Sequence, residues 1–499
     1  MLKSRFYFIV FLVNEIKLHE VLGMKYQWVV LTVTTVGILM AGIDSRIVII
    51  GLPQVASALG ADVEQAIWFT QSYLLGTTIA LLLIGRITDI IGRVKIYSLG
   101  FAIFTLGSAL TSLSRTPLQF ILFRAVQGLG AGMLFTNSLA IVVDATPKKQ
   151  LGFALGVNQT AFRFGAMAGL TISGLILSFL DWRALFYLNV PIGIFGTIWA
   201  HRRLKEMAKL ETGAKMDLFG FIAFSVSILT FLLALTYQAY GLSEEFTVYC
   251  FFIISAIAVV VFILHERKQL YPLLDFGLFR IREFTGGIIA LMLNAVAWGA
   301  MLLLISLYFQ LILDLSPLDA GVRIIPFDIA FLICGVISGR LSDKYGHLPF
   351  TTLGLAFMSL SLYALSTLTE ATSFLHIIVY LVTLGIGCGG FVSPNMSSIM
   401  SSVPAERRGI ASALRATAFN VGFVISLNLA ISIMTFTVPF SIATKILSSI
   451  NRIGVSQAEK MLFMKGLNNT YLWLAVINSA AIPPSVFRGR GRKANQVKK

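Results

Sequence analysis

The sequence predicts an all-α membrane protein with fourteen transmembrane helices, on three observations: scarce charge, long apolar blocks, and Lys and Arg that alternate between loops. Of 499 residues, 57% are hydrophobic and 12% charged, whereas soluble domains carry about 25% charged residues. So little charge cannot cover a water-soluble particle of this size. A bilayer core of roughly 30 Å takes about 20 apolar residues per helix. Lipid offers the backbone no hydrogen-bond partner, so each block must satisfy its own amides as a helix.

Taken in order, the blocks place helices at 28–50, 65–84, 96–113, 118–142, 152–179, 184–200 and 218–239. The second seven are 246–264, 284–312, 320–340, 349–367, 374–397, 407–436 and 469–486. Loops after even-numbered helices, together with the two tails, hold 28 Lys and Arg; loops after odd-numbered helices hold seven. Four of those seven fall in one long loop, 437–468, where charge counts weakly. This bias puts both termini on the cytoplasmic side of a cell membrane and makes the helix number even. It also assigns the net charge of +16 to topology and not to nucleic acid. Cys250, Cys334 and Cys388 lie in apolar segments without ligand spacing, so no metal or redox role is expected. At the start, Lys3 and Arg5 precede an apolar run too short to span, with no small-residue cleavage site. Met24 would supply a shorter cytoplasmic lead.

An internal repeat organises the chain. Gly85-Arg86-Ile87-Thr88-Asp89-Ile90-Ile91-Gly92 follows the second helix, and Gly339-Arg340-Leu341-Ser342-Asp343-Lys344-Tyr345-Gly346 follows the tenth, 254 residues later. Pro147 and Gly152 recur as Pro404 and Gly409, 257 residues later. Helices 1–6 thus repeat as helices 9–14, with helices 7 and 8 inserted. The expected divisions are a cytoplasmic tail (1–27), a six-helix half (28–200), a linker with the inserted pair (201–267), a second six-helix half (268–487) and a basic tail (488–499). Repeats packed about a central site are the architecture of secondary transporters.

Gly85, Asp89, Gly92, Arg93 and Lys95 form a pattern that resembles the helix 2–3 loop signature of the major facilitator superfamily. Fourteen spans resemble its drug/proton antiporter branch. So do Gly42-Ile43-Asp44 through Pro53, Arg124 with Gln127 to Gly132, Asp181-Trp182-Arg183 with Asn189, and Gln310 with Ser316-Pro317. The resemblance implies a major facilitator fold and proton-coupled efflux of small amphipathic compounds or drugs by alternating access. Arg46 and Ile49 depart from the branch's first-helix pattern, and Gly169-Leu170 with Ser173-Gly174 lacks its helix 5 proline.

Away from helix edges the spans hold Asp44, Arg46, Arg124, Arg163, Asp328 and Arg415. Charge in a membrane is costly and faces a partner or a cavity, so each is a functional candidate. Proton coupling needs a carboxyl that can be neutral or ionised. Asp44 is the best such group, with Arg124 as its modulator, and the pair is expected to carry proton coupling; the alternative is a permanent buried ion pair. Arg46, two residues from Asp44, points to the other side of its helix. Four arginines against two aspartates leave the spans formally positive, which keeps open an exporter of an anionic metabolite. Gly85, Asp89, Gly92, Arg93 and Asp343 are expected to gate, with Asp89 and Arg93 as a latch between the halves. Arg46, Gln159, Arg163, Gln310 and Asn395 are candidate substrate contacts. No phosphate-binding loop or catalytic cluster occurs, so no enzyme activity, cofactor or metal is expected. The partners are a small-molecule substrate, protons and the lipid bilayer, and the chain is expected to act as a monomer. A non-transporting sensor built on the same scaffold is the remaining class.

Overall fold

The computed structural model describes residues 26–147, 151–207, 217–240, 245–269, 274, 276–404, 408–439 and 456–489. Every regular element among them is helical. The first six are α1 (Tyr26–Leu59), α2 (Val63–Ile91), α3 (Arg93–Ser112), α4 (Pro117–Ala145), α5 (Leu151–Phe179) and α6 (Ala184–Arg203, broken at Leu188). Then come α7 (Leu218–Tyr240) and α8 (Glu245–Glu266). The last six are α9 (Arg282–Ile312), α10 (Pro317–Tyr345), α11 (His347–Leu365), α12 (Phe374–Ser401), α13 (Arg408–Thr435) and α14 (Gln457–Phe487).

Thirteen of these helices are long and apolar enough to cross a membrane. The fourteenth, α2, runs 29 residues, about 43 Å at 1.5 Å per residue, and its stretch 66–83 carries no charged residue, so it is long and apolar enough as well. We call the end of the bundle that holds Tyr26 the base and the opposite end the crown. Four even-numbered helices start at the crown with side-chain caps. Asp62 and Ser456 form capping boxes with Gln65 and Glu459, and Thr116 and Ser316 cap helices that open on Pro117 and Pro317. Each cap accepts from a first-turn N–H that the helix itself cannot satisfy.

Packing repeats across the chain. In the first half α1 packs on α5, α2 on α4, and α3 on α4 and α6; in the second α9 packs on α13, α10 on α12, and α11 on α12 and α14. The seams repeat residue by residue. A Cβ on Gly128 would strike the Tyr73 carbonyl and one on Gly385 the Phe327 carbonyl; Gly130 faces Phe104 as Gly387 faces Met358. These counterparts lie 257 and 254 residues apart, the offsets of the sequence repeat. Gly92 and Gly346, at the α2–α3 and α10–α11 junctions, both take positive φ (116° and 89°), a conformation that only glycine adopts without strain. The inserted α7 and α8 pack on each other, Ser255 donating to the Ser227 carbonyl (2.9 Å), and Thr236 of α7 donates to Asn428 of α13 (3.0 Å). Phe246, Ile253, Ile257 and Val260 of α8 are exposed, as a lipid-facing surface requires.

Three expectations need correction. The span 284–312 is not one regular helix: α9 stops at Trp298, resumes at Met301 and ends in a π turn, Tyr308–Ile312. Ser426 accepts from the freed Ala300 N–H (2.8 Å), which keeps the break satisfied. The last span begins at Gln457 and not at 469, so Lys460 and Lys465 are helical, and Lys460 pairs with Asp314 (2.8 Å). Residues 440–455 of the expected loop lie outside the described residues. Arg488, placed by sequence in the basic tail, is buried and bonded to Asn395 and Thr351; burial lowers its pKa to about 10, which leaves it charged at neutral pH.

Candidate functional site

Two ion pairs originate from nearly opposite faces of α1. At 100° per residue, Asp44 and Arg46 diverge by about 200°, so one points into the first half and the other across to the second. Asp44 is fully buried and meets Arg124 of α4 at 2.7 Å. Both of its oxygens are engaged: Arg124 Nη1 donates to Oδ2, while Gln127 and Asn189 each donate to Oδ1 at 2.9 Å. Arg124 in turn donates to Gln127 Oε1 (2.8 Å) and to the Phe69 carbonyl (3.4 Å), and its guanidinium lies 4.3 Å from the Tyr73 ring centroid. The break in α6 at Leu188 opens its second segment on Asn189, which is how that side chain reaches Asp44. This network leaves neither carboxylate oxygen without a donor. Its geometry favours the permanent pair over the proton carrier.

Arg46 crosses to Asp328 of α10, 2.8 Å away, with side-chain exposures of 12% and 6%. Asp328 Oδ1 is held; Oδ2 is buried and has no hydrogen-bond partner among the described residues. Beside this pair stands Arg163 of α5, its guanidinium 4.0 Å from the Phe331 ring centroid and within electrostatic reach of Arg46, Asp328, Arg415 and Cys388. Gly42, Gly165 and Gly169 let α1 and α5 touch backbone to backbone, which brings Arg46 and Arg163 to one layer. Phe331 also meets Trp298 at 5.5 Å, and Trp298 meets Phe419 and Phe423 at 5.7 and 6.2 Å. Residues of α1, α5, α9, α10 and α13 thus form a charged and aromatic layer where the two halves face each other.

Towards the crown the halves close. A Cβ on Gly174 of α5 would stand 2.6 Å from Leu318 Cα of α10, and one on Gly321 would stand 2.9 Å from the Leu170 carbonyl. Gln310, in the π turn of α9, donates to the Ile50 carbonyl of α1 (3.3 Å) and to Ser306 (2.8 Å). It is therefore part of the crown contact and not a free substrate ligand. Asn395 is likewise committed: it donates to the Gly287 carbonyl (3.2 Å) and accepts from Arg488. Both amides were expected to touch substrate; in this structure both complete contacts between helices.

At the base, Arg93 spans both oxygens of Asp144 at 2.7 Å, and Glu206 accepts the Val94 N–H (3.0 Å) and packs over Gly92. Asp144 belongs to α4, so this contact ties α3 to its own half; it is not by itself the expected latch between halves. Gly85, Asp89, Gln159 and Asp343 lie outside the residues whose side chains are described. Sequence reading put Asp328 among the ionisable groups but gave it no partner, and it missed Gln127 and Asn189 as donors to Asp44. Their signal was present in the helix 4 and helix 6 patterns, without any indication of what they touch.

A model of the Major Facilitator Superfamily matches residues 34–427. The chain is 31% identical over 403 residues to the riboflavin transporter RibZ of Clostridioides difficile, covering 81% of this chain and 87% of that protein. It is 27% identical over 397 residues to the tetracenomycin C resistance and export protein of Streptomyces glaucescens (79% and 73% covered). It is 28% identical over 379 residues to the multidrug transporter protein MdtP of Bacillus subtilis (75% and 69%). Among solved structures, a bacterial homologue of the human lysosomal transporter Spinster, inward-facing and unoccupied, superposes with a TM-score of 0.63 at 14% identity, covering 92% of this chain and 96% of that one. With two six-helix halves, an inserted pair and these relatives, the chain is a multi-pass membrane transporter and not an enzyme, and it belongs to the major facilitator superfamily.

Proposed function

We propose that this transporter works by proton-coupled alternating access and exports small amphipathic compounds from the cell, as a monomer with both termini in the cytoplasm. Residues 28–200 and 268–488 are the two rocking bodies; 201–267 carries the linker and inserted pair, and 1–27 and 489–499 are tails. The observation that carries this reading is the Arg46–Asp328 pair, which joins the two bodies through a carboxylate with one uncommitted oxygen. A proton on Asp328 cancels its charge, loosens its hold on Arg46 and lowers the cost of parting the halves. Around Asp328 stand Arg46 from α1, Arg163 from α5 and Cys388 from α12, and Arg415 from α13 lies within reach of Arg163. Crown closure fits the state open to the base, where substrate enters before export. The loop bearing Gly85, Asp89, Gly92 and Arg93, with Asp343 in the repeat, acts as the gate at the base.

Two measurements test this. Inverted vesicles under an imposed proton gradient should accumulate amphipathic compounds and dissipate the gradient; transport indifferent to the gradient contradicts coupling. Reporters fused after Lys215 and Lys493 should read cytoplasmic and one at Ser243 external; the reverse pattern overturns the orientation, and with it export from the closed-crown state.

A further inference from the structure

The layer between the halves is lopsided in two independent ways. Among the described residues its charges are three arginines, Arg46, Arg163 and Arg415, against the single carboxylate of Asp328. Its uncommitted hydrogen-bond groups are lopsided too. Arg163 Nη1, Arg415 Nε and Trp298 Nε1 are buried donors without partners among the described residues, whereas Asp328 Oδ2 is the uncommitted carboxylate acceptor. A buried donor without an acceptor costs free energy, more so when charged, so such a set persists where a ligand supplies the acceptors. A cation entering here would meet three like charges in a poorly screened setting. An anion would relieve them. The apolar lining is flat and aromatic: Phe331 carries the Arg163 guanidinium 4.0 Å from its ring centroid, stacks with Phe327 at 5.9 Å and meets Trp298 edge-on at 5.5 Å.

We propose that this layer is the substrate site and that it takes a planar aromatic acid, with Arg163 anchoring the acid group and the Phe331–Trp298 rings receiving the aromatic body. The inference rests on the alternating-access reading and narrows its amphipathic substrates to one chemical class. Arg46 stays with Asp328, so the anchor and the coupling acid are different groups. Arg415 adds long-range attraction, and the Trp298 N–H adds a neutral donor.

The test is equilibrium calorimetry of the full-length protein in lipid nanodiscs at neutral pH, with no gradient. The probes are 1-naphthoate, 1-naphthamide, 1-naphthylmethylammonium and cyclohexanecarboxylate. Naphthoate should bind about tenfold or more tighter than the amide, as one charge-assisted hydrogen bond allows, and tighter than the saturated acid; the ammonium should not bind. R163Q should erase the advantage of acid over amide, R163K should keep part of it, and W298F should weaken naphthoate several-fold. A preference for the ammonium, an acid preference that survives in R163Q, or binding of none of the four overturns the proposal. Because no gradient is applied, these outcomes are independent of coupling. Naphthoate that binds but is not driven by a proton gradient overturns the coupling reading and leaves the site standing.

Discussion

Asp44 and Asp328 each meet one arginine, at 2.7 and 2.8 Å, and α1 supplies one member of each pair, two residues apart. They differ in what surrounds the carboxylate and in which bodies they join. Asp44 has a donor on each oxygen, all from α4 and α6 of its own half. Asp328 has one donor, from the other half, and one oxygen left over. A fully satisfied pair inside one rigid body resists change, because every alternative leaves a buried charge exposed to apolar surroundings. A half-satisfied pair between two bodies has little to lose when they part. The repeat sharpens the contrast: at the 257-residue offset that relates α4 to α12, Arg124 corresponds to Leu381, buried and apolar. Among the described residues the second half folds its equivalent seam without an ion pair, so the charge in the first is a local solution and not a demand of the fold.

The largest expected effect is on Asp44→Asn. It strands Arg124, 1% exposed, at a cost of about 3–5 kcal/mol by analogy with other broken buried pairs, so little folded protein should reach the membrane. Normal abundance by fluorescence-detected size-exclusion chromatography would put Asp44 back among the proton-carrier candidates. Next is Asn189→Ala, which removes one of the donors to the same carboxylate. It should lower stability by about 1.5–3 kcal/mol, the worth of a hydrogen bond to a charged group, read as a drop in the detergent melting midpoint. An unchanged midpoint would mean that the network has slack. Gly128→Val tests the same half by packing: its new side chain meets the Tyr73 carbonyl, and overpacking costs about 1–3 kcal/mol. Gly174→Val should change stability least and conformation most, because its clash with Leu318 lies between bodies that separate anyway. Accessibility of a cysteine placed at Leu318 to an impermeant reagent from the crown side should rise while abundance holds; loss of protein instead would make the crown a fixed seam.

Much of this was legible in the sequence, for reasons of range. The span count follows from local composition, and the repeat follows from short motifs at a fixed offset, because each depends only on neighbours along the chain. The divergence of Asp44 and Arg46 follows from helix geometry. Partners did not: Arg124 lies 80 residues from Asp44 and Asp328 lies 282 from Arg46, and no local pattern links them. Gln310 and Asn395 show the other limit. A buried amide that completes a helix contact looks the same in sequence as one that binds substrate, and only the Ile50, Gly287 and Arg488 contacts separate the two. The break at Gly299 in α9 is invisible for a similar reason, since it depends on Ser426 from α13. The start of α14 was readable and passed over: Ser456 and Glu459 make a capping box, hidden among the polar residues of what looked like a loop.

The central claim is that Asp328, and not Asp44, switches. Its most direct test is proton-driven accumulation in inverted vesicles carrying Asp328→Asn, across anionic, neutral and cationic compounds, with abundance and counterflow exchange measured on the same membranes. The account predicts wild-type abundance, retained exchange and no accumulation against a gradient. An Asp328→Asn protein that still concentrates substrate as the wild type does would contradict it.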